Sequence, residues 1–243
     1  MQQLFIADLH LSPDHPRLVR GFLDLLDHYQ GKIDQLYILG DWFEAWIGDD
    51  DRSPWLDHIV QALKEFVAHG SQVFFMHGNR DFALGQKFMD RFGGQLIDEE
   101  NHTIRFGTQS IVLSHGDALC TDDKSYQRFR KIIRNKLLLS AILALPLTTR
   151  RKIAELARKN SKTNKTIKNP YIMDVNEQAV QRIVAKHHIL LHGHTHRPAI
   201  HEHQGKKRYV LGDWREDRIT NQGTAVIALL NETGLQLVDW NFS

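Results

Sequence analysis

The sequence predicts an α/β fold: one large domain over residues 1–243, with a basic helical insertion near 120–172 inside it. Short apolar runs rich in branched and aromatic residues recur along the chain. Helical patterns fall between several of them, the alternation expected of a layered α/β protein. The third observation is a break in composition. Residues 122–168 carry 14 basic and 3 acidic side chains, a net +11 that leaves −9 on the rest of a chain whose total is +2. At 243 residues, 42% hydrophobic and 25% charged, the chain can bury a substantial core.

Strands are expected from Leu4 to Ala7, Leu36 to Leu39, Val73 to Met76, Ser110 to Leu113, Ile189 to Leu191, Tyr209 to Leu211, Ala225 to Leu230 and Leu235 to Val238. Between the first two, Leu18, Phe22, Leu25, Leu26 and Tyr29 recur at helical spacing. A second helix opens at Pro54, where Ser53 can cap free amides, and Gly70 can end it. A third is expected from Asp174, with Glu177 three residues on and Val180, Ile183 and Val184 as its buried stripe. The basic segment, with the apolar run Leu137 to Leu147 inside it, reads as the helical insertion.

Composition narrows the function classes. Cys120 is the single cysteine, so an intrachain disulfide is impossible and a reducing compartment fits. "MQQLFIADLH" lacks the basic flank, apolar core and cleavage site of a signal peptide, so a cytoplasmic location is expected. Leu137 to Leu147 is too short for a span and contains Pro146. The basic block asks for an anionic partner: nucleic acid, a phospholipid surface or a phosphorylated ligand.

The carboxyl ends of the apolar runs carry the chemistry. "FIADLH" ends in Asp8 and His10, "YILGD" in Asp41, "FFMHGN" in Asn79, "IVLSHGD" presents His115, and "ILLHGHTH" presents His194 and His196. In α/β sheets these ends form the crevice where ligands bind, so the groups can converge from distant positions. Carboxylate, amide and imidazole donors without thiolates suit manganese, iron or zinc. Seven donors exceed the needs of one ion, whereas two ions about 3.5–4 Å apart would use them all. The i, i+2 spacing of Asp8 with His10, and of His194 with His196, directs each pair to one side of an extended segment. His192 falls out of phase and suits a supporting role. Any one of the 15 histidines could be merely solvated or hydrogen-bonded, and Asp41 alone could be a turn residue; the five motifs together carry the reading.

That joint pattern, D-x-H, G-D, G-N, H-G-D and G-H-x-H, resembles the calcineurin-like metallophosphoesterase superfamily. The resemblance implies a two-sheet sandwich flanked by helices. It also implies a di-metal site in which Asp8, His10, Asp41 and His196 hold one ion and Asp41, Asn79, His115 and His194 the other, with Asp41 as bridge. Many members follow the asparagine with histidine, but "HGNRD" supplies Arg80. Arginine cannot act as an acid near neutral pH, whereas its planar fork grips phosphate. A phosphate leaving group, with a pKa near 6, needs little protonation, so pyrophosphate cleavage is the expected chemistry.

"FIADLHL", "LYILGDWFEAWIGDDD", "HGNRDF", "HGDALCTDD", "NSK", "IMDVN" and "HGHTHRPAIH" together are similar to the UDP-2,3-diacylglucosamine pyrophosphohydrolase family of Gram-negative lipid A synthesis. This closer resemblance implies attack on the α-phosphorus of an acylated UDP-sugar, giving UMP and 2,3-diacylglucosamine 1-phosphate, with two Mn²⁺ as the usual metals. It implies catalytic roles for Asn79, Arg80 and His194, and substrate contacts from Asn79, Arg80, Asp123, Tyr126, Ser161, Lys165, Lys168 and His194. The insertion would then form a cap whose apolar face covers acyl chains and whose bases meet anionic lipid, a peripheral attachment to the cytoplasmic face of the inner membrane. Neither a nucleic acid nor an obligate protein partner is expected. A nuclease or nucleotide phosphodiesterase would share the metal motifs, and a non-catalytic scaffold would be expected to have lost ligands.

Overall fold

The computed structural model describes residues 1–167, 172–217, 219–220 and 222–243, with the side chains at 160–167 and 203 left aside. The first sheet is built on four parallel strands, β1 (Gln3–Ile6), β2 (Gln35–Leu39), β3 (Gln72–Met76) and β4 (Gln95–Ile97), in that order. The second sheet has β5 (His102–Phe106), β6 (Gln109–Ser114), β7 (Ile189–His192), β8 (Ala199–His203) and β9 (Lys206–Val210), in the order β5-β6-β7-β9-β8. β6, β7 and β9 are parallel neighbours. Three later strands complete the first sheet: β10 (Arg215–Asp217) and β11 (Gln222–Asn231), with β11 antiparallel to β1, and β12 (Gly234–Phe242) along β11.

Side-chain alternation stacks these sheets. Along β1 and β2, Leu4, Ile6, Leu36 and Ile38 point to an outer core shared with Leu18, Phe22 and Leu25 of α1 (Pro16–Tyr29) and with Ile59, Leu63 and Phe66 of α2 (Pro54–Ala68). Phe5, Tyr37 and Leu39 point the other way, onto Ile111, Leu113, Leu191 and Tyr209 of the second sheet. Val112 and Leu190 face outward again, onto Val180 and Val184 of a helix at Glu177–Val184. The result is helix, sheet, sheet, helix: strands buried on both faces read as unbroken apolar runs.

Between β3 and β4 lies a single helical turn, α3 (Gln86–Met89). The basic segment forms α4 (Lys124–Ile133), α5 (Lys136–Leu143) and α6 (Leu147–Ile167), between β6 and the 177–184 helix, which is α7. Asp123 caps α4 by accepting from the backbone N–H of Tyr126, and Asn135 caps α5.

Two helix starts differ from expectation. Ser53 does not cap α2, because its hydroxyl donates to Asp51 Oδ1 instead. The cap of α7 is Asn176 rather than Asp174, whose carboxylate accepts from Val175 N–H and Arg197. β4, β5, β8 and β10 were not expected as strands. Each lies at or near an edge and is short or half exposed, so it lacks the continuous apolar run that marks the central strands.

Candidate metal centre and active site

All five motif-bearing segments end on one face. β1, β2 and β3 are parallel in one sheet and β6 and β7 in the other, and each delivers its ligand-type residues within one to four positions past its carboxyl end. Asp8, His10 and His196 bring one ligand atom each within 4.8 Å of one another, and so do Asp8, Asp41 and His115. The imidazoles approach in two pairs, His10 with His196 at 5.4 Å between ring centres and His115 with His194 at 5.0 Å. Asp41 stands between the pairs, with Oδ2 4.0 Å from His10 Nδ1 and Oδ1 3.7 Å from His115 Nε2. Asn79 Oδ1 lies 3.1 Å from His115 Nε2.

The backbone achieves this differently from an extended period-2 segment. Asp8, His10, Asp41, His194 and His196 all have positive φ, between 51° and 67°. Such left-handed residues cost on the order of 1–3 kcal/mol each and persist where the surroundings hold them. Here the turns are locked by bonds between distant segments: Asp8 N–H donates to Gly40 C=O, His10 N–H to Asp41 C=O, and His194 N–H to Asp8 Oδ2 at 2.7 Å. A Cβ on Gly78 or Gly193 would collide with Asp41 or Asp8, which explains the glycine preceding the ligand-type residue in "GN" and "GH".

The electrostatics ask for cations. Asp8 and Asp41 are both buried, and burial raises the Asp41 carboxyl despite His115 and Arg80 nearby. Burial also acts to raise Asp8, but His196 outweighs it and holds that carboxyl below its usual range. Burial and the Arg80 guanidinium keep His10 well below its ordinary value, and burial with His115 close by takes His194 down to about 3. Both are therefore neutral at physiological pH, the form that ligates metal. Both ring nitrogens of His10 are buried without a hydrogen-bond partner among the described residues, and Asp8 Oδ1 has the His196 ring nitrogen at 3.3 Å. Two adjoining carboxylates and an unpartnered imidazole fit a pair of divalent cations, and a polar site left unpaired costs free energy otherwise.

A supporting ring fixes these groups. Asp81, fully buried, accepts from the N–H groups of Gly78 and Trp42 at 2.9 and 2.7 Å and so ties the loop after β3 to the loop after β2. Asp213 Oδ2 meets His196 Nδ1, and Leu39 C=O faces His115 Nδ1. Asp117 accepts from Tyr126 Oη and Arg130 Nε, which roots α4 beside the centre. Glu44 pairs with Arg80 and with Arg158 of α6. The sequence reading missed these four acids as site residues. Asp81 and Asp117 lay inside the quoted motifs "HGNRD" and "HGD", and Asp213 follows an apolar run in "YVLGDW", much as Asp41 does in "YILGDW".

The calcineurin-like phosphoesterase family matches residues 1–198. The chain belongs to that family. Among curated relatives, a UDP-2,3-diacylglucosamine hydrolase of Pseudomonas entomophila is 44% identical, with 99% of both chains covered. One of Serratia proteamaculans is 48% identical over 88% of this chain and 91% of its own, and one of Klebsiella pneumoniae 45% over 89% and 92%. A solved archaeal phosphodiesterase shares the fold, with TM-score 0.50 at 11% identity, covering 98% of this chain and 99% of that one. Membership of the calcineurin-like phosphoesterases implies a dinuclear metal site, and the clusters around Asp8 and Asp41 supply candidate ligands for one.

The remaining expected site residues of this phosphoesterase fall into two groups. Arg80 is at the centre, its N–H donating to Asp41 Oδ1 at 2.9 Å and its Nε 3.3 Å from Oδ2. Tyr126 lies nearly parallel to His194, ring centres 6.2 Å apart, while Asp123 is buried at the start of α4. The Ser161 and Lys165 side chains, and Lys168 altogether, lie outside the described residues. Trp42, Phe43 and Trp46 are core, clustered on Phe88. Burial pushes the Cys120 thiol up to about 12, so it is no nucleophile at neutral pH.

Proposed function

We infer that this chain hydrolyses the pyrophosphate bond of UDP-2,3-diacylglucosamine in lipid A synthesis, releasing UMP and 2,3-diacylglucosamine 1-phosphate. The observation that carries the reading is the 44% identity, spanning 99% of both chains, to a relative bearing that substrate in its name. Water adds to the α-phosphorus, the bond to the bridging oxygen breaks, and the sugar phosphate leaves with that oxygen while the water loses a proton. Asp8, His10, Asp41 and His196 would hold one cation and Asp41, Asn79, His115 and His194 the second; two Mn²⁺ suit this oxygen and nitrogen donor set. When bound, such a pair polarises phosphoryl oxygens and makes water more acidic.

The chain's own groups do the rest. With Asn79 Oδ1 turned to His115, its amide N–H groups are left to donate to a phosphoryl oxygen. The Arg80 fork, already held beside Asp41, meets the charge that grows on the departing phosphate. Neutral His194 sits against Tyr126, which orients it. Asp123, Tyr126, Ser161, Lys165 and Lys168 would contact the acylated sugar phosphate from a cap spanning about 120–172 of a single 1–243 domain. Support for the cap comes from its ties to the body: Arg134 to Gly78 C=O, and Arg150 to Asp50 and Ile47 C=O.

Peripheral attachment to the cytoplasmic face of the inner membrane belongs to the same proposal. No helix among the described residues is long and apolar enough to cross a membrane. Yet Phe129, Ile132, Leu137, Leu138, Leu145, Ile153 and Leu156 are all exposed within the basic segment, a surface suited to acyl chains and anionic headgroups.

The test is a manganese-supplemented assay scored for UMP, run on acylated and deacylated UDP-glucosamine beside a nuclease substrate. Acylated substrate should be strongly preferred. Equal turnover of the deacylated sugar, or faster cleavage of nucleic acid, would replace this reading with a general phosphodiesterase.

A further inference from the structure

The run "WIGDDD", residues 46–51, lies in the loop after β2 but gives no side chain to the clusters around Asp8 and Asp41. Its three acids diverge. Asp49 accepts from Trp46 Nε1–H and Gly85 N–H, both at 2.9 Å, and from Phe88 N–H at 3.1 Å, which fixes the end of the loop that carries Arg80. Asp51 accepts from the N–H and hydroxyl of Ser53, ahead of α2. Asp50 reaches the cap, where it accepts from both Nη groups of Arg150.

From 131 to 159 a single side chain is buried, and it is that of Arg150, 4% exposed. No residue of this stretch joins the apolar cores of the body, so polar pairing must hold it in place. Arg134 and Arg158 tie its ends to Gly78 C=O and Glu44; Arg150 ties the corner between α5 and α6. Four of its five N–H groups are used: Nε–H on Leu145 C=O at 2.8 Å, Nη1 on Ile47 C=O and Asp50 Oδ1, and Nη2 on Asp50 Oδ2. A planar fork paired in this way admits one geometry. Gly48 makes room for it, since a Cβ there would collide with Arg150 Nη1, and its φ of +133° suits only glycine. Next to Ile47, Trp46 N–H donates to Arg80 C=O at 3.1 Å. The same few residues thus hold the cap's corner at one end and the loop of Asn79 and Arg80 at the other.

We propose that Arg150 is a positioning residue for substrate selection: its fork on Asp50 and Ile47 C=O holds the α5–α6 corner docked, and preference for acylated over deacylated substrate depends on that docking. The proposal rests on the reading of the substrate as an acylated UDP-sugar. A cap docked only part of the time lowers apparent affinity in proportion to the docked fraction, whereas saturating substrate draws it back into place. Loss of the fork therefore acts on KM and spares kcat. A small diester that needs no cap is indifferent to it, because the body's cores contain no residue of the 131–159 stretch.

The metal-loaded wild type, Arg150→Met and Asp50→Asn are compared on acylated UDP-glucosamine, its deacylated form and bis(p-nitrophenyl) phosphate. Losing charge-assisted hydrogen bonds of ordinary strength in Arg150→Met should raise KM for the acylated substrate about tenfold at nearly unchanged kcat. The deacylated sugar and the diester should be turned over as by the wild type. Asp50→Asn changes an exposed carboxylate and should move KM in the same direction by less. The double variant should be no worse than Arg150→Met, because the two side chains act as one contact. Hydrogen exchange in Arg150→Met should quicken over 137–149 while β1 and β2 stay protected. An Arg150→Met protein with wild-type KM for the acylated sugar, or one whose diester turnover falls in step, overturns the role of Arg150 and leaves the enzymatic reading intact. A wild type that turns over acylated and deacylated sugar alike overturns the reading of the substrate and this proposal with it.

Discussion

Asp213 Oδ2 lies 3.1 Å from Nδ1 of His196, whose Nε2 lies 3.3 Å from Asp8 Oδ1. The imidazole is thus clamped between two carboxylates from different parts of the chain. Burial acts to lower its pKa, but Asp213 and Asp8 overcome that and carry it up to about 9. A carboxylate behind a ligating histidine fixes the ring's tautomer and raises its basicity. Asp213→Asn keeps the shape and removes the charge, and should weaken binding of divalent metal about 10–100-fold. Calorimetric titration of the metal-stripped protein checks this; unchanged affinity would remove Asp213 from the site.

His192 supports the same turn from beneath. It is fully buried, with Nδ1 2.9 Å from Gly193 C=O and Nε2 3.2 Å from Arg208 Nη1. Since a guanidinium can only donate, Nε2 must accept, which leaves the proton on Nδ1 to bond Gly193. Burial holds His192 down to about 4, so the ring is neutral at physiological pH. Arg208→Met should release this tautomer and loosen the turn that carries His194 and His196, at a cost of about 1–3 kcal/mol. Chemical denaturation measures the loss, and nitrogen NMR of the imidazole reads the tautomer. A variant whose proton stays on Nδ1 would show that Arg208 does not set it.

Glu44 holds two guanidiniums, Arg80 beside Asp41 and Arg158 on α6. Burial and the like charge of Arg80 lower Arg158 to about 10, so the carboxylate offsets a repulsion as well as making two ion pairs. Glu44→Gln leaves that repulsion uncompensated. With Glu44 a quarter exposed, solvent screening limits the expected loss to about 1–2 kcal/mol. The loss should be localised: hydrogen exchange should quicken in the 147–159 stretch while β1 and β2 stay protected. Unchanged exchange in that stretch would mean the pair does not dock α6.

The candidate ligands were legible because each follows an apolar run, and a run buried on both faces is the least ambiguous strand signal an α/β chain gives. His10 and Asp41 could be placed from "FIADLH" and "YILGD", but not the left-handed backbone that aims them, which depends on partners from Gly40 to Trp214. The similar hexapeptides "YILGDW" and "YVLGDW" carry Asp41 and Asp213 at the same place, yet the first supplies a ligand-type residue and the second its support. Only tertiary contact separates those roles. β4, β5, β8 and β10 stayed hidden for a different reason: at or near an edge and either short or half exposed, they carry polar residues that pattern alone assigns to loops. Ser53 and Asp174 show the limit of capping rules, since a neighbouring Asp51 and Arg197 drew their side chains away.

Asp117 is the anchor on which α4 depends, and it gives the fold an acid-sensitive point. Its buried carboxylate accepts from Tyr126 Oη at 2.6 Å and Arg130 Nε at 2.7 Å, with Arg134 Nη2 at 3.4 Å. Burial acts to raise its pKa, but His115, Arg134 and Arg130 prevail and hold it well below the ordinary 3.8. A carboxyl whose folded pKa is depressed contributes stability above its unfolded value and loses that contribution as pH falls from there toward the folded one. Asp117→Asn removes one partner of a buried ion pair, so it should destabilise by about 3–5 kcal/mol at pH 7. The gap to wild type should hold between pH 5 and 7 and begin to close below about pH 4. Urea denaturation of both proteins across that range measures it, and a gap that widens on acidification would show that Asp117 is not the charged member of the pair.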